Sequence, residues 1–447
     1  MRFTKLKLRS LLFIIVLLSW AGNLTTGFAA GKEVSLQTLI DQSAPNETLV
    51  IPAGTYEGPI TVHKPLQLQV SGAVTLINQS EQPAIWITAN DVRIDGLVII
   101  DTSSSLKEAA TILVEASNTV LSKLQLHTAT EGIQLINANH NTIRDSSIVW
   151  DTANQPEVSL SARRNGIDLY DSHDNLMIGN TITAMHDGIY LENSHRNRVE
   201  DNKVNQMRYG IHCMYTDGTL IRNNTGSLNI TGAMVMAVHD VELSGNVFYK
   251  QSENVNSQGI LLFDAHSSKF FDNKVVGNRV GLYIEQSSDN QVYQNEIVQN
   301  FIGIQFIEAN GNELRDNFLS GNVIDAEARA SENNTINGNY WEAFRGVDLD
   351  GDQRSDLKNA INPFFQTLTK ARPAFQLFFQ SPSLVFLEGL FQADQQMWLV
   401  DESPLMTPPT DSVNITSGSS KIGTAVLGIC LILLSLTTLL YLGVKRS

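Results

Sequence analysis

The chain is short of cysteine and of positive charge, and each shortage excludes a class of protein. It has 447 residues but only two cysteines, Cys213 and Cys430. Two thiols cannot build a disulfide framework or a cysteine-rich zinc or iron–sulfur site. The 46 acidic residues outnumber the 31 basic ones and give a formal net charge of −15. A general nucleic-acid binder is therefore excluded, because no basic stripe is available to meet phosphates.

Both ends of the chain have the composition of membrane-targeting segments. Residues 1–30 combine basic residues, an apolar run and a small-residue exit, which predicts a secretory signal, with an uncleaved anchor as the alternative. Residues 422–444 carry no charge, and at about 1.5 Å per residue they reach roughly 34 Å, enough to cross the membrane as a helix. The positive residues of the tail, 445–447, follow directly. The positive-inside rule therefore predicts a cytoplasmic C-terminus and a body on the extracytoplasmic face of the membrane, in the periplasm or at the cell exterior.

The middle of the chain repeats with a period of 22 residues. Short strands rich in Ile, Val and Leu follow glycines at this spacing, and asparagines keep the same interval in the turns. A coil of 22 residues with Gly and Asn at fixed corners predicts an all-β fold, a right-handed single-stranded parallel β-helix, over residues 34–340. We expect the asparagines to stack in a ladder whose amides bond the coils above and below. They are Asn180, Asn202, Asn224, Asn246, Asn273, Asn295, Asn317 and Asn339.

The segments after the repeats differ in composition. Residues 341–402 join an acidic loop to a Phe-rich stretch of short helix-like runs. This stretch predicts a short C-terminal helical extension that caps the β-helix or docks onto a membrane partner. Residues 403–421 are rich in Pro, Ser and Thr, which indicates a linker to the transmembrane helix.

One face of the predicted β-helix carries a candidate metal site. Strand alternation turns the second and fourth residues after each glycine outward, and neighbouring coils lie about 4.8 Å apart. The resulting patch combines imidazole and thioether groups, which select Cu(I). The alternative is a hydrophobic strip that a loop or a partner covers. The candidate ligands are His212, Met214, Met234 and Met236, with His186 near the turn that leads into the same face.

Three further groups have chemistry to consider. Cys213 points inward in this pattern, so we expect a core residue in place of a thiol ligand. Asp171, His173 and Asp174 lie at a coil corner and are similar to the acid/base groups of sugar-processing β-helices, although such turns also tolerate these residue types. The third group resembles an oxygen-ligand calcium loop without its terminal Glu, so it predicts a structural calcium ion or, alternatively, a solvated acidic turn. Its carboxylates are Asp348, Asp350, Asp352 and Asp356.

Several motifs occur in a specific order along residues 34–406. They are Ile51-Pro-Ala-Gly-Thr-Tyr-Glu-Gly-Pro-Ile-Thr-Val, His212-Cys-Met-Tyr-Thr, Asn339-Tyr-Trp, Asp348-Leu-Asp-Gly-Asp, Ser381-Pro-Ser and Asp401-Glu-Ser-Pro-Leu-Met. In this order the chain resembles the NosD family, the extracytoplasmic β-helix proteins of nitrous oxide reductase maturation. The repeats alone are shared with many sugar-binding β-helices.

The resemblance implies a non-enzymatic assembly factor. Such a factor works with the permease and ATPase of an ABC transporter and with a copper chaperone, and it assists copper delivery to the copper–sulfide centre of nitrous oxide reductase. His212 and Met214 fall in the family's strand motif, whereas Cys213 stands where the family has Tyr, so no thiol role is inherited. The C-terminal membrane helix goes beyond the family's minimal pattern and implies a permanent tether. The alternative function is a carbohydrate-binding or carbohydrate-processing protein of the lyase or epimerase type.

Overall fold

The structure is a computed structural model that covers the repeat region and short pieces after it. The predicted signal segment, most of the Phe-rich stretch, the linker from residue 410 and most of residues 422–444 lie outside the described residues. No helix in the described part is long and apolar enough to cross a membrane. The described residues are 35–102, 109–151, 158–251, 254, 256–361, 364–372, 374–375, 399–409 and the isolated positions 383, 386, 387, 390, 431, 433, 435 and 437.

The prediction of an all-β parallel β-helix is confirmed. Successive coils stack in parallel, and one side of the solenoid is a sheet of 12 strands, called the face sheet below. Its strands are β2 (Ile60–Val62), β4 (Ile85–Ile87), β7 (Ile112–Val114), β10 (Ile133–Ile136), β13 (Ile167–Tyr170), β16 (Asp187–Glu192), β19 (Tyr209–Met214), β22 (Thr231–His239), β25 (Gln258–His266), β28 (Val280–Glu285), β31 (Ile302–Ile307) and β34 (Ile324–Arg329).

The other sides of the solenoid form a second sheet of 24 strands. Most coils give it two short strands, so a full coil has three. The strands are β1 (Thr48–Glu57), β3 (Gln67–Asn78), β5 (Arg93–Asp95), β6 (Val98–Asp101), β8 (Val120–Ser122), β9 (Gln125–Thr128), β11 (Thr142–Arg144), β12 (Ser147–Trp150), β14 (Leu176–Ile178), β15 (Thr181–Thr183), β17 (Arg198–Glu200), β18 (Lys203–Asn205), β20 (Leu220–Arg222), β21 (Thr225–Ser227), β23 (Glu242–Ser244), β24 (Val247–Tyr249), β26 (Lys269–Phe271), β27 (Lys274–Val276), β29 (Gln291–Tyr293), β30 (Glu296–Val298), β32 (Glu313–Arg315), β33 (Phe318–Ser320), β35 (Thr335–Asn337) and β36 (Tyr340–Trp341).

Short elements lie at the two ends of the solenoid. Helix α1 (Leu36–Gln42) buries Leu36 and Ile40 at the start of the core. After the last coil, β37 (Asn359–Ile361) pairs in antiparallel fashion with β38 (Leu399–Asp401). Of the predicted helical extension, the described residues hold helix α2 (Phe364–Ala371). A 3-10 turn, Leu160–Ala162, lies in the inserted loop before β13.

The asparagine ladder is present inside the solenoid. The Asn224 side-chain oxygen accepts hydrogen bonds from the backbone N–H and from the side-chain amide of Asn202, at 2.9 and 3.0 Å. The Asn202 amide also donates to the backbone oxygen of Met177 at 2.9 Å. Both asparagines are fully buried. Because each amide satisfies backbone groups of the turn, the ladder holds consecutive coils in the same register.

The ladder ends on a carboxylate from far along the chain. Asp401 is fully buried and accepts hydrogen bonds from the backbone N–H groups of Gly338 and Asn339, each at 2.9 Å. It also accepts from the side-chain amide of Asn339 at 3.0 Å and from the indole N–H of Trp341 at 2.8 Å. The conspicuous Asp-Glu-Ser-Pro motif therefore has a structural role, since it supplies the acceptor that a further coil would have provided.

Replacing Asp401 by Asn should destabilise the protein, because an amide N–H₂ group would face donors that now have a carboxylate oxygen. We expect a loss of about 1–3 kcal/mol in the free energy of unfolding for each acceptor lost, measured by chemical denaturation. Glu402→Gln is the matched control, because the Glu402 side chain is exposed and pairs with Lys358 at the surface. Equal stability of the two variants would contradict the capping role.

Asp325 gives the fold a pH dependence. It stands in β34 where the earlier coils have glycine, and burial raises the pKa of its carboxyl to about 6. The folded state therefore keeps its proton at a pH where the unfolded chain has lost it, so stability falls as the pH rises towards about 6. Asp325→Asn should accordingly raise the melting temperature at pH 8 and change it little at pH 4. A melting-temperature difference that is the same at both pH values would refute this assignment.

Candidate metal site

The predicted copper ligands lie on two neighbouring strands of the face sheet. β19 and β22 pair in parallel, with His212 opposite Met234 and Met214 opposite Met236. These four residues are called the sulfur–imidazole patch. The structure thus brings one imidazole and three thioethers together on adjacent coils, as strand alternation predicts.

The patch is less exposed than its outward direction suggests. His212 and Met234 are buried, with 7% and 9% of their surfaces exposed, whereas Met214 and Met236 are half-buried. Aromatic rings cover the imidazole: the Tyr190 ring centroid lies 4.7 Å from that of His212, and the Tyr209 ring lies edge-on at 4.9 Å. Side chains of the patch's own neighbours therefore shield the imidazole from solvent.

The two ring nitrogens of His212 have different surroundings. Nδ1 lies 3.0 Å from a carboxylate oxygen of Asp187, so the tautomer assigned here carries its proton on Nδ1. Nε2 is buried and has no hydrogen-bond partner in the described part of the chain. A buried nitrogen lone pair without a donor is costly, and it is the form in which histidine binds a metal. A carboxylate behind the other ring nitrogen is the usual partner of a metal-binding histidine.

Asp187 is also held in place by the Arg208 guanidinium. Arg208 donates two hydrogen bonds to the two carboxylate oxygens, at 2.9 and 2.6 Å. Burial opposes ionisation of Asp187, but the hydrogen bonds from His212 and Arg208 outweigh it and hold the pKa of this carboxyl below its ordinary value. The carboxylate is therefore charged at neutral pH and keeps the imidazole in one orientation.

His186 lies beside this group at the residue before Asp187. Burial lowers the pKa of the His186 imidazole and the positive charge of Arg208 acts in the same direction, while Asp187 acts in the opposite direction. His186 is consequently neutral at physiological pH and retains a nitrogen lone pair. Its role as a ligand stays a prediction.

Other residues near the patch belong to the core. Cys213 is fully buried between its two outward neighbours, and burial raises the pKa of its thiol to about 12. Met185 and Met207, which stand close to His186 in the sequence or the coil, are also buried in the core. The expectation that Cys213 packs in the core is confirmed, and the soft ligands available on the face sheet are thioethers.

The corner group Asp171, His173 and Asp174 maintains the turns. Asp174 accepts two hydrogen bonds from Arg196 on the next coil, both at 2.8 Å. His173 Nδ1 accepts the backbone N–H of His195 at 3.0 Å, and the two imidazoles stack with centroids 5.1 Å apart. These side chains are thus occupied in joining coils.

The acidic loop brings three of its four predicted calcium ligands together. One oxygen each from Asp348, Asp350 and Asp356 lie within 4.8 Å of one another, while Asp352 is not part of this group. The carboxylates also receive backbone N–H bonds within the loop: Asp348 accepts from Gly351 at 2.7 Å. The arrangement is compatible with an oxygen-ligand cation, and a structural calcium ion stays a prediction.

The face sheet also holds a carboxyl pair that the sequence pattern does not reveal. Glu131 and Asp168 are each only 9% exposed and are hydrogen-bonded to one another, with the Asn165 amide donating to Asp168 at 2.8 Å. Burial, and then the neighbouring carboxylate, hold the pKa of Glu131 well above its ordinary value, and burial raises that of Asp168. Burial therefore opposes two negative charges at this place. Like Asp187, Glu131 directly precedes a glycine of the repeat, which is the signal that could have pointed to both.

A known protein family matches the part of the chain that contains the patch. Residues 151–346, which include the whole sulfur–imidazole patch, match the NosD family, described as a periplasmic copper-binding protein. The resemblance to this family is thereby confirmed over the matched residues. No curated protein matches the chain.

Solved structures show similarity of fold. The catalytic domain of a GH87 alpha-1,3-glucanase in complex with tetrasaccharides is 13% identical, with a TM-score of 0.55 over 70% of this chain and 68% of that one. For the Yersinia enterocolitica family 28 exopolygalacturonase the identity is 11% and the TM-score 0.51, with coverage of 67% and 74%. The Azotobacter vinelandii mannuronan C-5 epimerase AlgE4 A-module is 14% identical, with a TM-score of 0.50 and coverage of 68% and 94%. At such identities the likeness concerns the fold alone.

Replacing Asp187 by Asn keeps the size of the side chain but removes the charge that faces Arg208 and His212. We expect the free energy of unfolding to fall by about 1–3 kcal/mol, because charge-assisted hydrogen bonds become weaker neutral ones. Chemical denaturation measures the change. Asp174→Asn is the matched control, since its ion pair with Arg196 lies at an exposed turn, where such a pair is worth at most about 1 kcal/mol. An equal loss in the two variants would show that the buried charge of Asp187 stabilises the protein no more than an exposed ion pair does.

Proposed function

We propose that this chain, whose residues 151–346 match the NosD family, is an extracytoplasmic accessory protein that binds Cu(I) during maturation of nitrous oxide reductase. Copper is its cargo, and the protein performs no bond-breaking chemistry. The observation that carries the proposal is the buried, unpartnered Nε2 of His212 beside in-register thioethers.

The donor set suits Cu(I) in particular. Thioether sulfur and neutral imidazole are soft or borderline ligands that favour Cu(I) over hard cations. Both are uncharged, so the ion can arrive and leave without a proton being released. Asp187 and Arg208 fix the imidazole, which leaves Nε2 as the group that reaches the metal.

The proposed assembly uses the C-terminal segments to hold the solenoid near its partners at the membrane. Residues 422–444 would tether the protein to the cytoplasmic membrane, with the tail 445–447 inside the cell. The Phe-rich stretch would contact the ABC transporter permease, while a copper chaperone and nitrous oxide reductase would meet the solenoid. A calcium ion at Asp348, Asp350 and Asp356 would stiffen the loop before β37.

Cu(I) binding can be tested with substitutions that preserve packing. Met214→Leu, Met234→Leu and Met236→Leu conserve side-chain volume, so a triple variant should fold and lose most of its Cu(I) affinity in anaerobic competition with a chromophoric chelator. X-ray absorption of the wild-type complex should show both sulfur and nitrogen neighbours of copper. Adding His212→Ala should abolish specific binding.

The control replaces methionines that lie in the core. Met185→Leu and Met207→Leu remove the same number of thioethers per substitution, but from inside the solenoid, and should leave Cu(I) affinity unchanged. Unchanged affinity in the triple Met→Leu variant, or a copper spectrum without sulfur neighbours, would defeat the proposed site.

A second candidate function is carbohydrate processing, and one observation bears on it. In the buried carboxyl pair of Glu131 and Asp168, Asp168 lies on the face sheet two coils from His212, and Glu131 lies just before β10, on the coil that precedes that of Asp168. Directly hydrogen-bonded carboxyls are closer than the roughly 5 Å or more that separates the two carboxylates of glycoside hydrolases. The pair therefore fits hydrolysis poorly, and a lyase or epimerase remains to be tested with uronate polymers. Turnover that disappears in Glu131→Gln would favour this second function.

A further inference from the structure

A hydrogen-bonded pair of one tyrosine and one glutamate lies on the face sheet on each side of the sulfur–imidazole patch. On the coil before it, the Tyr190 hydroxyl donates to the Glu192 carboxylate at 2.9 Å. On the second coil after it, the Tyr283 hydroxyl donates to the Glu285 carboxylate at 2.8 Å. In each case the tyrosine fixes the direction of a glutamate at the outer surface of the face sheet.

These residues form two straight columns across five coils. The strands β16, β19, β22, β25 and β28 pair in register, so each column contains one residue from every strand. With about 4.8 Å between coils, the two glutamates lie roughly 19 Å apart. One column is Tyr190, His212, Met234, Leu261 and Tyr283, and the other is Glu192, Met214, Met236, Phe263 and Glu285.

Neither glutamate has a basic ion-pair partner among the described residues. Asp187, on the same face, is neutralised by the bidentate contact from Arg208. By contrast, no Lys, Arg or His among the described residues forms an ion pair with Glu192 or Glu285; their hydrogen-bond partners there are the two tyrosines. The surface thus has a soft, apolar centre and one negative charge at each end.

We propose that these two columns, called the docking strip, bind the metal-carrying segment of a protein that exchanges Cu(I) with this one. The segment is extended, has soft ligands at its centre and carries one basic residue at each end. Because an extended chain rises about 3.3 Å per residue, the two basic residues are about six residues apart. This inference rests on the proposed function, since it assigns the partner of the same copper site.

Charge and chemistry both support this occupant. Two lysines or arginines would meet Glu192 and Glu285 and set the register of the segment along the strip. The half-buried Met214 and Met236 and the ring of Phe263 would contact its apolar centre. Cu(I) then passes by exchange of neutral thioether and imidazole ligands. It keeps its oxidation state, and no proton or electron has to be supplied.

The test uses a fluorescein-labelled peptide as the probe. Its centre carries methionines, and one lysine lies on each side at the spacing given above; a second peptide has glutamates in place of the lysines. The full-length protein should bind the lysine peptide more tightly than the glutamate peptide. Fluorescence anisotropy should also show that raised salt weakens this binding.

Two double variants locate the binding surface. Glu192→Gln with Glu285→Gln keeps both tyrosine hydrogen bonds and should weaken lysine-peptide binding by about tenfold, because two partly exposed ion pairs are lost. Glu200→Gln with Glu313→Gln makes the same change in net charge on the 24-stranded sheet and should have no effect. Identical binding by the two double variants would overturn the docking strip.

Failure of this inference and failure of the proposed function give different results. Cu(I) affinity of the isolated protein should be the same in wild type and in the Glu192→Gln, Glu285→Gln variant, because neither glutamate is a ligand. If Cu(I) binds but the two peptides bind equally, the docking strip is wrong and the copper site stands. If Cu(I) does not bind, the proposed function fails first. A dimer in sedimentation that dissociates in Met236→Glu would identify a second copy as the occupant and overturn the assignment.

Discussion

The interaction on which the rest of the structure depends is the hydrogen bond between stacked asparagine amides. Each buried amide, such as that of Asn224, accepts from the turn of the preceding coil and donates to a backbone carbonyl. This repeated contact keeps every coil directly over the last one. Only with that register do His212 and Met234, which are a full coil apart in the chain, become neighbours. The columns of the face sheet are a consequence of the ladder.

The candidate site contains a buried polar atom that the repeat does not satisfy with a hydrogen bond. Among the described residues six buried side-chain atoms lack a hydrogen-bond partner, and His212 Nε2 is the only imidazole nitrogen of the six. It lies in the side chain that also contacts the ion pair of Asp187 and Arg208. Such a local cost is expected where a protein binds something. The surrounding tyrosines raise the effective strength of these interactions because they keep water away from the imidazole.

Much of the fold and part of the site can be predicted from the sequence. Period-two alternation is enough to turn Met214 and Met236 outward and Cys213 inward, because a strand alternates its faces whatever the rest of the chain does. Asp187 could not be predicted in the same way. Its contact with His212 spans 25 residues and depends on how two side chains bend across a turn. The Glu131 and Asp168 pair could not be predicted from the pattern either. Its two residues are far apart in the sequence, and their raised pKa values depend on burial in the folded protein.

The sequence by itself determined the solenoid, its 22-residue step and the set of residues on the face sheet. The reason is that Gly and Asn recur at fixed positions of every coil and specify its turns locally. Only the tertiary structure decided which nitrogen of His212 is free, which carboxylates are charged and where the ladder stops. Asp401 caps that ladder from 62 residues beyond Asn339, and no local pattern specifies so distant a partner. Hydrogen-bond partners and desolvation depend on the positions of all neighbouring atoms, and these exist only once the coils have stacked.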